Sequence, residues 1–550
     1  LSGRDGSEQA LAVLIDPALA AEYERAGYWG QQTLSALVRE WARERADAPA
    51  YLEGSNVTTW AEYDALADRV AAALLATGLT AGDRVGVLLA DGALVHAVFL
   101  ATERAGLVAV GIGARAGDRE LEHLLRHTDA AAILTTDELF GEPIAPRVDG
   151  LEVETLLHHL VVDDGGRMTA REVRAGTAPE VAVGAALPAE GALRANDLFL
   201  LNSTSGTTGL PKCVTQFQNR WFYFHTLAQR AAHLTPDDVF LSALPAPFGF
   251  GLWTAHFTPT ILGVPTVVMP RFTADEALGL IERHRVTVLC CVSTQFLLML
   301  QSPRFEDTDL SSLRVMFTGG EAVPAEQAAR FEDRTGGTVL QFYGSNETGA
   351  LSCTTLDHDR EHRFHTAGQI IPEMQVRLFD GDGRDVTATG GPGQPAAKGP
   401  ALCGGYFADE AANRALYTDD GWMLMGDIAT IDDEGFLTVA GRVSDFIVRG
   451  GKNISAPQVE AEVGAHPAVD LVAALAVPDP VFGERVGVVV TLAPDTTLDL
   501  DTLRDHLDAR GVGKELWPEH LHVIDAMPLS SGGKVAKGVL RDQLADLFPD

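Results

Sequence analysis

From Ala50 to about residue 380, short β-branched apolar runs alternate with longer amphipathic ones. Arg84–Leu89 predicts a strand, Leu94–Ala105 a helix and Leu107–Ile112 the next strand. Val286–Val292 repeats the strand pattern, and Gln295–Leu300 follows as an apolar helical stretch. This alternation predicts parallel sheets covered by helices, an α/β architecture. Residues 150–195 carry acids, glycines and Ala-Pro pairs without clear period, and predict a surface excursion. Near residue 380 the pattern changes: Asp380-Gly-Asp-Gly and Thr389-Gly-Gly-Pro-Gly are turn-rich, and short strand-like pieces run to Thr438–Arg442. A boundary is expected at 441–446. Beyond it Gln458–Val463 and Leu500–Ala509 read as helices, and Leu471–Val477 and Val486–Leu492 as strands, enough for a small α+β domain.

Composition narrows the function classes. The 550 residues include 42 Lys+Arg against 76 Asp+Glu, a formal charge of −34. That excess, with no basic block to offset it, argues against nucleic-acid and anionic-membrane binding. Cys213, Cys290, Cys291, Cys353 and Cys403 form no CxxC and are widely scattered, which fits a reducing compartment. The N-terminus lacks the charged-then-apolar pattern of a signal peptide. The longest apolar stretch, Val286–Leu300, is broken by Ser293, Thr294 and Gln295 and is short for a membrane span. A soluble, cytoplasmic protein is expected.

Five segments carry chemistry. In Leu198–Lys212 an apolar strand enters seven consecutive small or hydroxyl residues, Ser203 to Gly209, followed by Leu-Pro-Lys. Glycines let successive N–H groups converge into an anion nest, five hydroxyls add donors and Lys212 adds charge, as an oligophosphate requires. The spacing differs from that of a Walker A loop; the plain alternative is a Ser/Gly surface loop. In Gln341–Gly349, Tyr343 offers a face to a base and Glu347 a carboxylate to a divalent cation. In Gly421–Asp427, Asp427 could accept hydrogen bonds from a ribose diol, or sit in an ordinary turn. In Gly441–Ile454, Arg442 stands at the expected boundary and a Gly pair precedes Lys452, which suits a moving element or a hairpin turn. In Pro528–Lys537, Ser and Gly free a loop tip carrying Lys534, a cation to deliver to an anionic site or a solvated loop residue.

Taken in this order, the five segments resemble the acyl-adenylate-forming (ANL) superfamily, its acyl-CoA synthetase branch of AMP-dependent synthetases and ligases, from about residue 30 to 540. The resemblance implies a large domain over 1–440, made of helix-covered parallel sheets with a β-barrel-like subdomain. It implies a hinge at 441–446, including Ser444 and Asp445, and a small mobile α+β domain over 447–550. Thr204, Ser205, Gly206, Thr207, Thr208, Gly209 and Lys212 look like the family's phosphate loop. Gly320, Glu321 and Ala322 resemble its stretch beside adenine and acyl group. Tyr343 and Asn346 resemble the adenine segment, Glu347 the magnesium ligand, and Asp427 and Arg442 the ribose contacts. Lys534 resembles the lysine that serves adenylation, and Gly450, Gly451 and Lys452 the loop lining the coenzyme A tunnel. The implied reaction uses ATP, Mg²⁺ and CoA: a carboxylate attacks the α-phosphate, and the CoA thiol then takes the acyl group.

Several positions depart from the family pattern. Asn346 stands where Thr is usual, Met425 replaces Thr before Gly-Asp, Phe248 and Gln218 replace His, and Ser444 replaces Asp or Lys. Several of these surround ATP and the carboxylate, so an enzyme specialised in thioester formation, supplied with acyl-AMP by an upstream adenylating partner, is an alternative. The gate segment Pro245–Leu252 has no acid to pair with a substrate ammonium, which argues against an α-amino acid. Gly249, where aryl-acid enzymes often carry an amide, argues mildly against a salicylate-type acid. Phe248, Phe250, Gly319 and Gly344 suggest a roomy apolar pocket for an aromatic, alicyclic or polycyclic acid. The chain ends soon after Lys534 with no fused carrier, so CoA is expected as acceptor, a free-standing carrier protein being the alternative. A homodimer is compatible with all of this. Gly111–Ala116 loosely matches GxGxxA, making an NAD-dependent oxidoreductase a remote rival; no G-x-S-x-G occurs for an α/β-hydrolase.

Overall fold

The computed structural model describes residues 15–173, 192–204, 211–320, 324–442, 446–449, 452–529 and 535–548. Two large sheets form the first part of the chain. In one, five parallel strands run in the spatial order His158–Val162, Ala132–Thr135, Arg84–Leu88, Val108–Ile112, Leu200–Ser203, with Met168–Glu172 and Cys213–Gln216 as antiparallel edges. In the other, six parallel strands run from Pro49–Glu53 through Thr266–Val268, Phe240–Ser242, Val288–Cys290 and Val315–Gly319 to Thr338–Ser345. Asn56–Thr59 closes one edge; Gly349–Cys353 and Gln369–Ile370 close the other, all antiparallel.

The α/β expectation holds for a physical reason. The central strands are buried on both faces and so read as continuous apolar runs, as Val108–Ile112 and Val288–Cys290 do. One apolar core joins both sheets, from Val85 and Val87 to Val288 and Phe317. Helix Trp60–Ala76 crosses between strands and starts with a capping box, Thr59 with Glu62, that satisfies two orphan backbone donors. Cys290 and Cys291 point into different core clusters because successive strand residues face opposite sides. All five cysteines are free, and burial pushes the Cys213 thiol up to about 12.

The expected excursion at 150–195 is corrected in part. His158–Val162 and Met168–Glu172 are strands of the first sheet, joined by a turn in which Gly166 has φ 77°. Met168–Glu172 is an edge strand, and the polar residues of that edge and its turn conceal the period of two. Residues 174–191 lie outside the described part.

Strands Gln375–Phe379, Gln394–Lys398 and Met423–Leu424 form a small antiparallel sheet. The pair Asp427–Ile431 and Leu437–Arg442 is linked to it by a bridge between Gly393 and Ala429. From Phe446 on, five strands and helices Ala456–Gly464 and Leu500–Ala509 surround a separate core containing Ile447, Val459, Val486 and Leu503. The two parts meet at Arg510 Nη1 and Glu326 Oε1, 3.1 Å apart, and at Gln301 Nε2, which donates to the Asp470 carbonyl at 3.4 Å. Among the described residues no helix is long and apolar enough to cross a membrane.

Candidate active site

Parallel α/β sheets bind ligands beyond the carboxyl ends of their strands, and three such ends converge here. Leu200–Ser203 leads into Thr204, Val315–Gly319 into Gly320, and Thr338–Ser345 into Asn346 and Glu347. They open on a cleft of about 1400 Å³ lined by Thr204, Gly320, Tyr343, Gly344, Asp427 and Arg442, with Glu460 and Lys537 on the opposite wall. Arg115, Arg119, Arg330 and Arg541 also line it, interspersed with Glu120, Asp470 and Asp542.

The two ends of segment 204–212 are tied together by backbone and side chain. Thr204 N–H donates to the Lys212 carbonyl at 3.0 Å, and Lys212 N–H donates to Thr204 Oγ1 at 3.2 Å. Beneath it lies a polar network that sequence reasoning missed. Asn346 Nδ2 donates to Asn202 Oδ1 at 2.8 Å, and Asn346 Oδ1 accepts from Asn202 Nδ2 and Gln216 Nε2, both at 3.2 Å. Arg220 is fully buried and donates to Gln216 Oε1 at 2.7 Å, to the Asn346 carbonyl at 3.0 Å and to the Ala401 carbonyl at 2.9 Å. A buried arginine must be hydrogen-bonded throughout, and here its partners fix the backbone that carries Asn346 and Glu347. One arginine in an aromatic helix gives no sequence signal of this.

Glu347 is half-buried, and its Oε1 accepts the Tyr406 hydroxyl at 2.6 Å. Among the described residues no donor meets Oε2. A carboxylate with one oxygen oriented and one open fits a hard divalent cation. The exposed Lys212 ammonium lies 4.7 Å from the Tyr406 ring centroid. Tyr406 was not among the expected site residues.

Asp427 is buried at the cleft wall. Its Oδ2 accepts the Tyr343 hydroxyl at 2.8 Å, and its Oδ1 lies 3.5 Å from Arg442 Nε. Burial, and then the Asp427 charge, push the Tyr343 phenol well above its ordinary value, so it stays a neutral donor. Tyr343, Asp427 and Arg442, far apart in sequence, are therefore one hydrogen-bonded unit.

Phe248, Gly249 and Phe250 are half-buried at the start of a helix that passes into a buried π-helical turn, Leu252–Phe257. Phe250 stacks on Trp253 at 5.2 Å, and Trp253 meets Phe224, Phe317 and Phe342 at 4.7 to 5.0 Å. The half-buried Asp91 accepts the Ala246 N–H and anchors this segment; desolvation raises its carboxyl to about 7. The room expected at two glycines belongs instead to backbone. A Cβ on Gly319 would stand 2.6 Å from the Phe342 carbonyl oxygen, and one on Gly344 would stand 1.6 Å from the Gly349 carbonyl oxygen. Gly111 likewise lies inside its strand, where a Cβ would meet Pro247 at 2.7 Å, so it serves packing rather than a dinucleotide turn.

Ser205, Gly206, Thr207, Thr208, Gly209, Glu321, Ala322, Ser444, Asp445, Gly450, Gly451 and Lys534 lie outside the described residues. Lys452 opens the strand Lys452–Ser455.

Residues 38–407 match the AMP-binding enzyme family, and residues 458–534 match the AMP-binding enzyme C-terminal domain. The chain is 32% identical to a salicyl-AMP ligase / salicyl-S-ArCP synthetase of Mycobacterium tuberculosis, over 96% of this chain and 93% of the relative. It is 31% identical to a salicylyl-CoA synthase / salicylate adenylyltransferase of a Streptomyces species, over 95% of this chain and 96% of the relative. Among solved structures, ATP-bound MatB from Rhodopseudomonas palustris superposes with a TM-score of 0.77 at 28% identity, covering 94% of this chain and 99% of that one.

Proposed function

The chain belongs to the AMP-binding enzyme family, and from that premise we propose that it activates an aromatic carboxylic acid as the acyl-adenylate and passes the acyl group to coenzyme A. The observation that carries this reading is the meeting of Thr204, Tyr343, Asp427 and Arg442 in one cleft, with Glu347 held on the same strand end. Beside it lies the acid-free aromatic segment around Phe250 and Trp253.

In the first step a carboxylate oxygen bonds to the α-phosphorus of ATP while the bond to the bridging oxygen breaks and pyrophosphate leaves. Two anions must approach, so fixed N–H dipoles and cations have to offset their charge. In this reading the Thr204–Lys212 loop takes the phosphates, Asp427 accepts from the ribose hydroxyls, and the Tyr343 ring faces adenine. Glu347 would hold Mg²⁺, which supplies further positive charge to the phosphates. In the second step the CoA sulfur bonds to the carbonyl carbon, AMP departs with the electron pair of the broken C–O bond, and the thiol proton passes to solvent. The Gly450–Lys452 loop and Lys534 take the roles that the resemblance assigns them, and 441–446 is the hinge.

A second reading, loading of a free-standing carrier protein, is favoured by the likeness to the mycobacterial salicyl-S-ArCP synthetase. One assay separates these. A panel of benzoates, salicylate, naphthoates and alicyclic acids is tested for acid-dependent ATP–pyrophosphate exchange, and pre-made acyl-AMPs are tested for CoA consumption. Exchange with an aromatic acid together with CoA thioester formation is expected. Exchange without CoA consumption selects the carrier reading. CoA consumption from acyl-AMP without exchange selects an enzyme specialised in thioester formation. Neither reaction with any acid overturns the proposal.

A further inference from the structure

Lys212 and Glu347 approach the same phenol from different sides. The Glu347 carboxylate takes the Tyr406 hydroxyl at 2.6 Å, and the Lys212 ammonium lies 4.7 Å from the ring centroid. The two opposite charges make no direct ion pair with each other, and neither has a further polar side-chain contact among the described residues. The Tyr406 side chain therefore stands in contact with both charges, its ring with one and its hydroxyl with the other.

Tyr406 is held unusually firmly for a loop residue. Its N–H donates to Asn413 Oδ1 and its carbonyl accepts from Asn413 Nδ2, both at 2.8 Å. Gly405, at φ 103°, leaves room for that amide, since a Cβ there would stand 2.6 Å from Asn413 Oδ1. The Gly405 carbonyl accepts from Thr215 N–H at 3.0 Å and Thr215 Oγ1 at 2.8 Å, and Tyr406 bridges to Val214. The ring is thereby tied to the strand that leaves the phosphate loop, while its hydroxyl reaches the strand end that carries Glu347.

We infer that Tyr406 is a positioning residue: a spacer that holds the Glu347 carboxylate for a divalent cation and keeps the Lys212 ammonium unpaired for phosphate oxygens. The ring serves Lys212 by a cation–π contact, and the hydroxyl serves Glu347 by a charge-assisted hydrogen bond. This rests on the reading of the cleft as a metal–nucleotide site.

The two functions of the one side chain can be separated. Tyr406→Phe keeps the ring and removes the hydroxyl; Tyr406→Leu removes both. Binding of Mn²⁺ is measured by electron paramagnetic resonance in the presence of α,β-methylene-ATP, and binding of the analogue is measured by calorimetry at saturating Mn²⁺. For Tyr406→Phe the apparent Mn²⁺ dissociation constant is expected to rise about tenfold, the scale of one charged hydrogen bond, while analogue affinity at saturating Mn²⁺ stays within about twofold of wild type. For Tyr406→Leu the analogue affinity is expected to fall about tenfold or more even at saturating Mn²⁺. Wild-type Mn²⁺ binding by Tyr406→Phe overturns the inference, as does a parallel loss of both affinities in that variant. Wild-type analogue affinity in Tyr406→Leu overturns the role toward Lys212, and Tyr406→Met replaces that variant if it does not fold. Wild-type protein that binds neither Mn²⁺ nor the analogue overturns the metal–nucleotide reading itself, and the inference with it.

Discussion

Asn202 and Asn346 pair their side-chain amides reciprocally, at 2.8 and 3.2 Å, across the strand Leu200–Ser203 and the turn that carries Glu347. Asn346 stands where the family usually has Thr, and the pairing shows what the longer amide does. It reaches Asn202 and also accepts from Gln216, so it fixes two parts of the cleft relative to each other rather than standing free to meet a phosphate.

This pair should behave as a unit. Asn202→Ala and Asn346→Ala each leave a buried amide short of a partner, at a cost of about 1–3 kcal/mol. The double variant should cost less than the sum, with a coupling of roughly 0.5–3 kcal/mol. Denaturant midpoints for the four proteins test this; strictly additive losses would show that the amides do not support each other.

Gly249 is set against the same network. A Cβ there would stand 2.7 Å from Asn346 Oδ1 and 3.3 Å from the Trp221 ring. Gly249→Ala is therefore expected to lower stability by about 1–3 kcal/mol through overpacking and to raise the KM of the carboxylic acid. Nucleotide affinity without acid should change less. Unaltered stability together with unaltered acid KM would mean that Asn346 yields freely.

On the proposed reading, Lys534 serves the first half-reaction alone. A charge pair at about 4 Å with an effective dielectric near 20 amounts to about 4 kcal/mol, roughly a thousandfold in rate if specific to the transition state. Lys534→Ala should abolish most acid-dependent pyrophosphate exchange and spare CoA transfer from supplied acyl-AMP. Equal losses in both assays would remove Lys534 from the adenylation step.

His96 should govern part of the acid limit of stability. It is buried between the rings of Tyr51, at 4.9 Å, and His256, at 5.3 Å, and among the described residues neither ring nitrogen has a hydrogen-bond partner. Burial lowers its pKa from 6.5 to about 3. The unfolded chain therefore binds a proton that the folded chain refuses between those values, and stability present above pH 6.5 is lost as the pH falls through that window. At pH 5 this costs about 2 kcal/mol. His96→Phe keeps a ring in place without the titration, so its Tm relative to wild type should be higher at pH 5 than at pH 7. The same Tm difference at both values would place the acid sensitivity elsewhere.

The sequence alone determined the α/β class, because double burial of parallel strands leaves continuous apolar runs such as Val108–Ile112. It also determined the family, because the five segments lie in a specific order, and it singled out Tyr343, Glu347, Asp427 and Arg442 by chemical type. It hid the strands His158–Val162 and Met168–Glu172, where the polar residues of the edge strand and its turn conceal the period of two. Only the tertiary structure decided which of these groups act on one another. Tyr343 meets Asp427 across 84 positions and Tyr406 meets Glu347 across 59. Arg220, Asn202 and Gln216 became part of the site through burial, which requires a buried polar group to find partners wherever the fold supplies them. Gly319 and Gly344, read as room for an acyl group, prove to be room for the chain's own carbonyls, since a missing side chain does not reveal what occupies its place. The −34 charge sets the field of the whole molecule; around the cleft arginines such as Arg115, Arg119 and Arg330 stand beside acids such as Glu120, Asp470 and Asp542, a local mixture of charge that only the fold assembles.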